Sequence, residues 1–219
     1  MNSFLRWCAG GVLVCFHAAS MGQVGLYSTG PAEDAAFIRF LNTTSVNLLV
    51  SADGQEKAIT ITPEDMVSPF LSADARQPIK GALTLLETKQ PLNLQLEPSE
   101  FVTVLVQDGM DAQVIREKVE DFNALKASVA FYNGDPLCSA ATVKVQNRET
   151  VVFENLKPGE LARREINPIP LSLSLFCNDE QTAESLDLGR LQPGERYSLF
   201  VLPMHQEQRF FSVLDEVSF

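Results

Sequence analysis

Catalysis needs a nucleophile beside its base, a cluster of metal ligands, or converging carboxylates, and this chain of 219 residues offers little of each. It holds two histidines, His17 and His205. Acyl transfer through a serine would need His205 as base, with a carboxylate to orient the ring. No Gly-x-Ser-x-Gly elbow supplies the serine, and Pro203-Met204-His205-Gln206-Glu207-Gln208 reads as a polar connection between two strands, where an exposed histidine is ordinary. Zinc in a site of the usual kind cannot be built from one mature histidine and two mature cysteines, and no Asp-rich calcium loop occurs. Glu64-Asp65 and Glu120-Asp121 could act as glycosidase pairs in a cleft, but among 28 acidic residues they read as solvated surface. The sequence therefore predicts no catalytic residue, no metal ligand and no cofactor.

One basic spot stands out. Ala162-Arg163-Arg164-Glu165-Ile166-Asn167-Pro168 leads into Leu171, Leu173 and Leu175 alternating with Ser172 and Ser174, a half-buried strand of period two. Pro168 and Pro170 restrict the backbone on the approach. Arg163, Arg164, Glu165 and Asn167 are the candidate partner-binding residues, because a guanidinium offers a planar, bidentate donor to an acidic patch. The alternative is local: Arg164 pairs with Glu165 or with an acid across the sheet, where an exposed pair contributes at most about 1 kcal/mol.

The elements that must position these residues read as β throughout. Segments 36–41, 45–50, 57–62, 82–86, 92–96 and 101–107 are short and rich in Val, Ile, Leu and Phe, as are 127–132, 141–146, 150–154, 171–177, 196–202 and 209–215. None carries a convincing 3.6-residue stripe, and 111–122, the one stretch that resembles a helix, matches the last strand of the second set by position. Pro98–Val106 aligns with Pro193–Val201, 95 positions on, and Phe40-Leu41-Asn42 with Phe131-Tyr132-Asn133, 91 positions on. Such offsets suggest a duplicated unit of about 90 to 95 residues. The expected fold is all-β, two tandem antiparallel β-sandwich domains over 21–120 and 121–219, with the boundary near Val119 to Ala124.

Residues 1–20 read as a signal peptide: one positive charge at Arg6, an apolar core from Trp7 to Ala19 broken only by His17, and small residues at Ala18-Ala19-Ser20. A lipid on Cys15 is the weaker alternative, since Val14 suits poorly and the apolar stretch ahead is short. Cleavage after Ser20 leaves 16 basic against 28 acidic residues, a net charge of −12. That excess of acid, without a basic stripe, argues against nucleic acid and against a long electrostatic contact with an acidic polymer, while a local polysaccharide contact stays compatible. Cys138 and Cys177 then remain, in an oxidising compartment that favours pairing; a bond would close about 39 residues, worth roughly 3 to 4 kcal/mol on chain entropy. Two buried thiols are the alternative.

Gly25-Leu26-Tyr27-Ser28-Thr29-Gly30-Pro31, followed by Ala36-Phe37-Ile38-Arg39-Phe40-Leu41-Asn42, resembles the mature start of the AlgF family, accessory proteins of bacterial alginate O-acetylation. Arg164-Glu165-Ile166-Asn167-Pro168 with the alternating strand behind it is similar to that family's most specific stretch. The resemblance implies a periplasmic, non-catalytic adaptor. Its partners would be periplasmic acetyltransferase-type proteins and, through them, a membrane-bound acyltransferase. A carbohydrate-binding module is the alternative, poorly provided for because the only tryptophan is Trp7 and only Tyr27, Tyr132 and Tyr197 could stack on sugar. An acetyl-handling enzyme, the third reading, would depend on His205.

Overall fold

The computed structural model describes residues 34–118, 123–204 and 207–218. The expected signal peptide, His205 and the expected domain boundary lie wholly or partly outside these residues.

The first half contributes strands β1 (Ala35–Asn42), β2 (Leu48–Ala52), β3 (Ile59–Ile61), β4 (Phe70–Asp74), β5 (Ile79–Leu85), β6 (Thr88–Leu94), β7 (Glu100–Gln107) and β8 (Asp111–Lys118). The second contributes β9 (Ala127–Asn133), β10 (Ala141–Val145), β11 (Val151–Leu156), β12 (Leu161–Ile166), β13 (Pro170–Cys177), β14 (Glu180–Arg190), β15 (Arg196–Met204) and β16 (Glu207–Leu214). A short β17 (Val217–Ser218) follows and returns to the first half, pairing in parallel with β4. Among the described residues no helix is long and apolar enough to cross a membrane.

Each half is a pair of facing sheets, and the two halves share one topology. Sheet orders β3-β2-β5-β6 and β4-β1-β7-β8 in the first half repeat as β11-β10-β13-β14 and β12-β9-β15-β16 in the second, with β17 added beside β4. Duplication extends to the register. In both inner sheets the central pair is parallel rather than antiparallel, with Asn42 beside Val106 and Asn133 beside Val201. These are the positions that the sequence offsets match. The remaining pairs within the two halves are antiparallel, so the expected all-β, two-sandwich fold holds with this one feature added.

Two strands missing from the sequence reading are β4 and β12, which flank the central pairs of the inner sheets, β12 as an edge and β4 capped by the short β17. Their residues are mixed in character, Phe70 to Asp74 and Leu161 to Ile166, and neither strand is apolar throughout. The polar alternation of β14 concealed a third strand, in which no residue is fully buried. By contrast β1 and β9 are buried at every position. A strand covered on both faces is apolar without alternation, and β1 is so even with an arginine in its middle.

That double burial sets the order of layers. Ala36, Ile38 and Phe40 of β1 pack with Val102, Val104 and Val106 against Leu48, Val50 and Leu83 of the outer sheet. In the second half Val129, Phe131, Leu199 and Val201 meet Val143, Phe153, Leu173 and Leu175. A third cluster joins Leu41, Leu105 and Ile115 of the first half to Tyr132, Phe200 and Leu202 of the second. Four sheets are thus stacked, with the inner sheets face to face.

Each unit is closed at one end by the same device. Asn42 donates its side-chain amide to the carbonyls of Val46 (2.8 Å) and Ile61 (3.0 Å), and Asn133 donates to those of Cys138 and Leu156 (both 2.8 Å). Both side chains are fully buried, so each amide satisfies carbonyls that water cannot reach.

Candidate functional site

The strongest concentration of charge lies between the inner sheets. Arg39, at the centre of β1 and 3% exposed, donates through Nε to Thr103 Oγ1 (2.9 Å), through Nη1 to Asp215 (2.6 Å) and through Nη2 to Ser198 Oγ (2.8 Å). Its guanidinium also lies 4.3 Å from the centre of the Phe70 ring. Arg163 of β12 donates to both carboxylate oxygens of Glu117, from β8 of the opposite half, and to Ser128 Oγ (3.0 Å). Asp215 accepts from Ser198 Oγ at 3.0 Å and lies 3.6 Å from Arg163.

Arg196 completes the group. Its guanidinium is 3.6 Å from Glu117 and 4.0 Å from Asp215 and sits 4.1 Å from the centre of the Phe101 ring. Yet among the described residues its buried Nε and Nη2 have no hydrogen-bond acceptor. The carboxylates are close enough to attract the cation but not placed to accept from it. Burial, reinforced by the positive charge of Arg163, lowers the Arg196 pKa to about 10 against the partial compensation of Glu117 and Asp215. Burial also lowers Arg39 despite its bond to Asp215. For Arg163, burial acts the same way but the hydrogen bond and charge of Glu117 outweigh it, and the pKa is raised.

Three guanidinium groups around two carboxylates leave one surplus positive charge in a mostly dry interface. The cavity beside them, lined by Arg39, Thr103, Glu117, Tyr132 and Phe200, is about 10 Å³, room for one water at most. The cluster fixes how the halves meet. Buried ion pairs seldom add net stability over apolar packing, but they penalise every arrangement that leaves a charge unpaired.

The sequence-derived partner residues separate accordingly. They lie on the edge strand β12 and just past it. Arg163 faces the opposite half and is committed to Glu117, while Arg164, Glu165 and Asn167 are exposed. Arg164 has no ion pair with Glu165; among the described residues the acids that pair with this stretch are Glu117 and Asp215, and both pair with Arg163. Arg39, Arg196, Glu117 and Asp215 were not singled out by sequence reasoning. The available signal was an arginine inside an otherwise apolar strand, Phe37-Ile38-Arg39-Phe40-Leu41.

Cys138 and Cys177 are bonded, with S–S 2.02 Å and Cα atoms 5.1 Å apart. The sulfurs join the loop after β9 to the end of β13, and Cys177 continues the buried face of Leu171, Leu173 and Leu175 as its spacing predicts. Among the described residues no group of three or more His, Cys, Asp or Glu side chains is arranged to hold a metal ion.

A duplicated pair of β-sandwiches locked by interior charge defines the class: an all-β protein whose outward edges and loops are its free surfaces. The family profile "Alginate O-acetyl transferase AlgF" matches residues 10–198, and the chain belongs to the AlgF family. It is 28% identical over 194 residues to "Alginate biosynthesis protein AlgF" of Pseudomonas aeruginosa, covering 89% of this chain and 85% of that protein. The protein of the same name from Azotobacter vinelandii is 28% identical over 82% of this chain and 78% of its own length. A solved C-terminal domain of AlgF from P. aeruginosa matches with 28% identity, covering 41% of this chain and 98% of that one, at a TM-score of 0.35.

Proposed function

We propose that this chain is a non-catalytic periplasmic adaptor of alginate O-acetylation, linking the component that delivers acetyl groups across the membrane to the periplasmic proteins that place them on the polymer. Membership of the AlgF family carries the reading. The use of the buried charges supports it: Arg39, Arg163, Glu117 and Asp215 satisfy one another between the halves, so their chemistry is spent on holding two sandwiches in one arrangement. A rigid double sandwich presents separated edges, which suits a bridge between two proteins.

Arg164, Glu165 and Asn167 on the β12 edge form the docking stretch in this reading. Arg163 anchors the strand from behind, and Arg164 offers its exposed guanidinium to a carboxylate of the partner.

The test is the acetyl-ester content of polysaccharide exported by a strain lacking the gene and complemented with variants. Deletion should abolish ester, and His205→Ala should restore it fully. The triple variant Arg164→Ala, Glu165→Ala, Asn167→Ala should restore less than a fifth while keeping the wild-type melting temperature. Unchanged ester on deletion would overturn the acetylation role. A folded His205→Ala protein that fails to restore ester would point instead to acetyl chemistry at the histidine.

A further inference from the structure

The connection between β9 and β10 is held far more firmly than its position requires. Backbone amides of Gly134, Asp135, Leu137, Cys138 and Ala140 all donate: to Val201 O, Asn133 Oδ1, Asp135 Oδ1, Asp135 O and Asn178 Oδ1. Asn133 and Asn178 donate back to the carbonyls of Cys138 and Leu137. Asp135, 2% exposed, accepts from Gln208 at 2.6 Å, and the cystine ties Cys138 to β13. All this bracing carries one side chain that packs on almost nothing: Leu137 is 83% exposed, with exposed Pro136 before it.

The equivalent connection in the first half shows that the topology does not demand this. Between β1 and β2 the buried Asn42 and Thr44 make the same kind of turn without a cysteine, and the residues that reach solvent there are Ser45 and Asn47. Only the second half combines a cross-link with an apolar tip.

We propose that residues Gly134–Ala140 form a pre-organised docking loop in which Leu137 is the anchor for an apolar pocket of a partner protein, and in which the cystine serves to hold that anchor in place. A leucine on a braced loop loses little conformational freedom on binding, which raises affinity without adding area. Its surroundings define the pocket: Asp179 and Glu180 are exposed where β13 turns into β14, and Glu160 with Lys157 on the turn between β11 and β12, so acid outnumbers base and the partner's apolar pocket carries a basic rim. The loop is a second contact, separate from the β12 edge, and the inference rests on the adaptor reading.

The experiment uses the same deletion strain and the full-length protein. Leu137→Glu should lower restored acetyl ester at least fivefold, with its melting temperature within about 1 °C of wild type. Leu137→Met should restore fully. The control Leu86→Glu, at a leucine 78% exposed in the β5–β6 turn, should also restore fully. A photoreactive benzoylphenylalanine at position 137 should give one discrete protein adduct, lost when Cys138→Ser and Cys177→Ser are added. If deletion abolishes ester but Leu137→Glu restores it, the loop is not a docking site and the adaptor reading stands. Failure of Leu86→Glu and Leu137→Glu alike would also overturn the loop. If deletion leaves ester unchanged, both readings fall.

Discussion

Arg196 stacks on Phe101, guanidinium carbon 4.1 Å from the ring centre, and these two residues hold the same position in the two halves, 95 residues apart in register. The coincidence is not isolated. Thr103 and Ser198 are equivalent by the same offset, and both accept from Arg39. Glu117 lies opposite Phe101 in its sheet, and Asp215 donates its amide to the carbonyl of Arg196; these two acids are equivalent as well, and each accepts from an arginine of the other half. The halves therefore meet through matching positions, as subunits of a twofold dimer do. The arginine donors break the match: Arg39 is on β1, where the second half has Ala130, and Arg163 is on β12.

Arg196, buried without acceptors, should be more costly than useful to stability. Arg196→Met is expected to stabilise by about 1–2 kcal/mol in urea unfolding, because a methionine can cover Phe101 without carrying a surplus charge. Arg39→Met should destabilise by about 3 kcal/mol or more by taking from buried Asp215 its nearest cation and the hydrogen bond that cation supplies.

The pH dependence has a definite sign. Arg196 has a pKa near 10 in the fold, below the ordinary arginine value it regains when unfolded, so above about pH 10 the unfolded chain binds more protons and stability from this group rises with pH. Below pH 10 the burial cost is present in full. The advantage of Arg196→Met over wild type should hold from pH 7 to 9 and shrink between pH 10 and 11, as measured by urea midpoints of both proteins.

Glu117 and Arg163 should be strongly coupled. Each single alanine variant is expected to lose about 3 kcal/mol and the double variant much less than the sum, giving an interaction energy of about 2 kcal/mol in a double-mutant cycle. An additive result would mean that the pair does not join the halves.

The cystine should stabilise as a loop constraint. Cys138→Ser with Cys177→Ser is expected to cost about 4 kcal/mol for the 39-residue separation, read as a lower denaturant midpoint that reducing agent reproduces in wild type.

Asn133→Asp tests the shared end closure. A carboxylate oxygen in place of the amide would face the carbonyls of Cys138 and Leu156 with no proton to give, so the variant should lose about 3 kcal/mol, and Asn42→Asp should lose a similar amount.

Local pattern was enough for much of the architecture. Leu171, Leu173 and Leu175 alternate with Ser172 and Ser174, so one face of β13 had to be core, and Cys177 continues that face by spacing. The match of Phe40-Leu41-Asn42 to Phe131-Tyr132-Asn133 exposed the duplication, because a repeated unit needs its buried asparagine in the same place each time. Strands β4 and β12 escaped, since Phe70 to Asp74 and Leu161 to Ile166 carry too few apolar residues to mark a strand.

An all-β chain of two like units, the inward direction of Cys177 and a surplus of acid follow from the order of residues alone. That the inner sheets stack face to face follows from the folded molecule. Stacking brings together residues far apart along the chain, Arg39 and Asp215 by 176 positions, and it is what turns Arg39 from a strand residue into the bonded partner of Asp215 and withdraws Arg163 from solvent while leaving Arg164 exposed. Charge along a chain can be counted from its letters, but which charges meet depends on which faces lose water together.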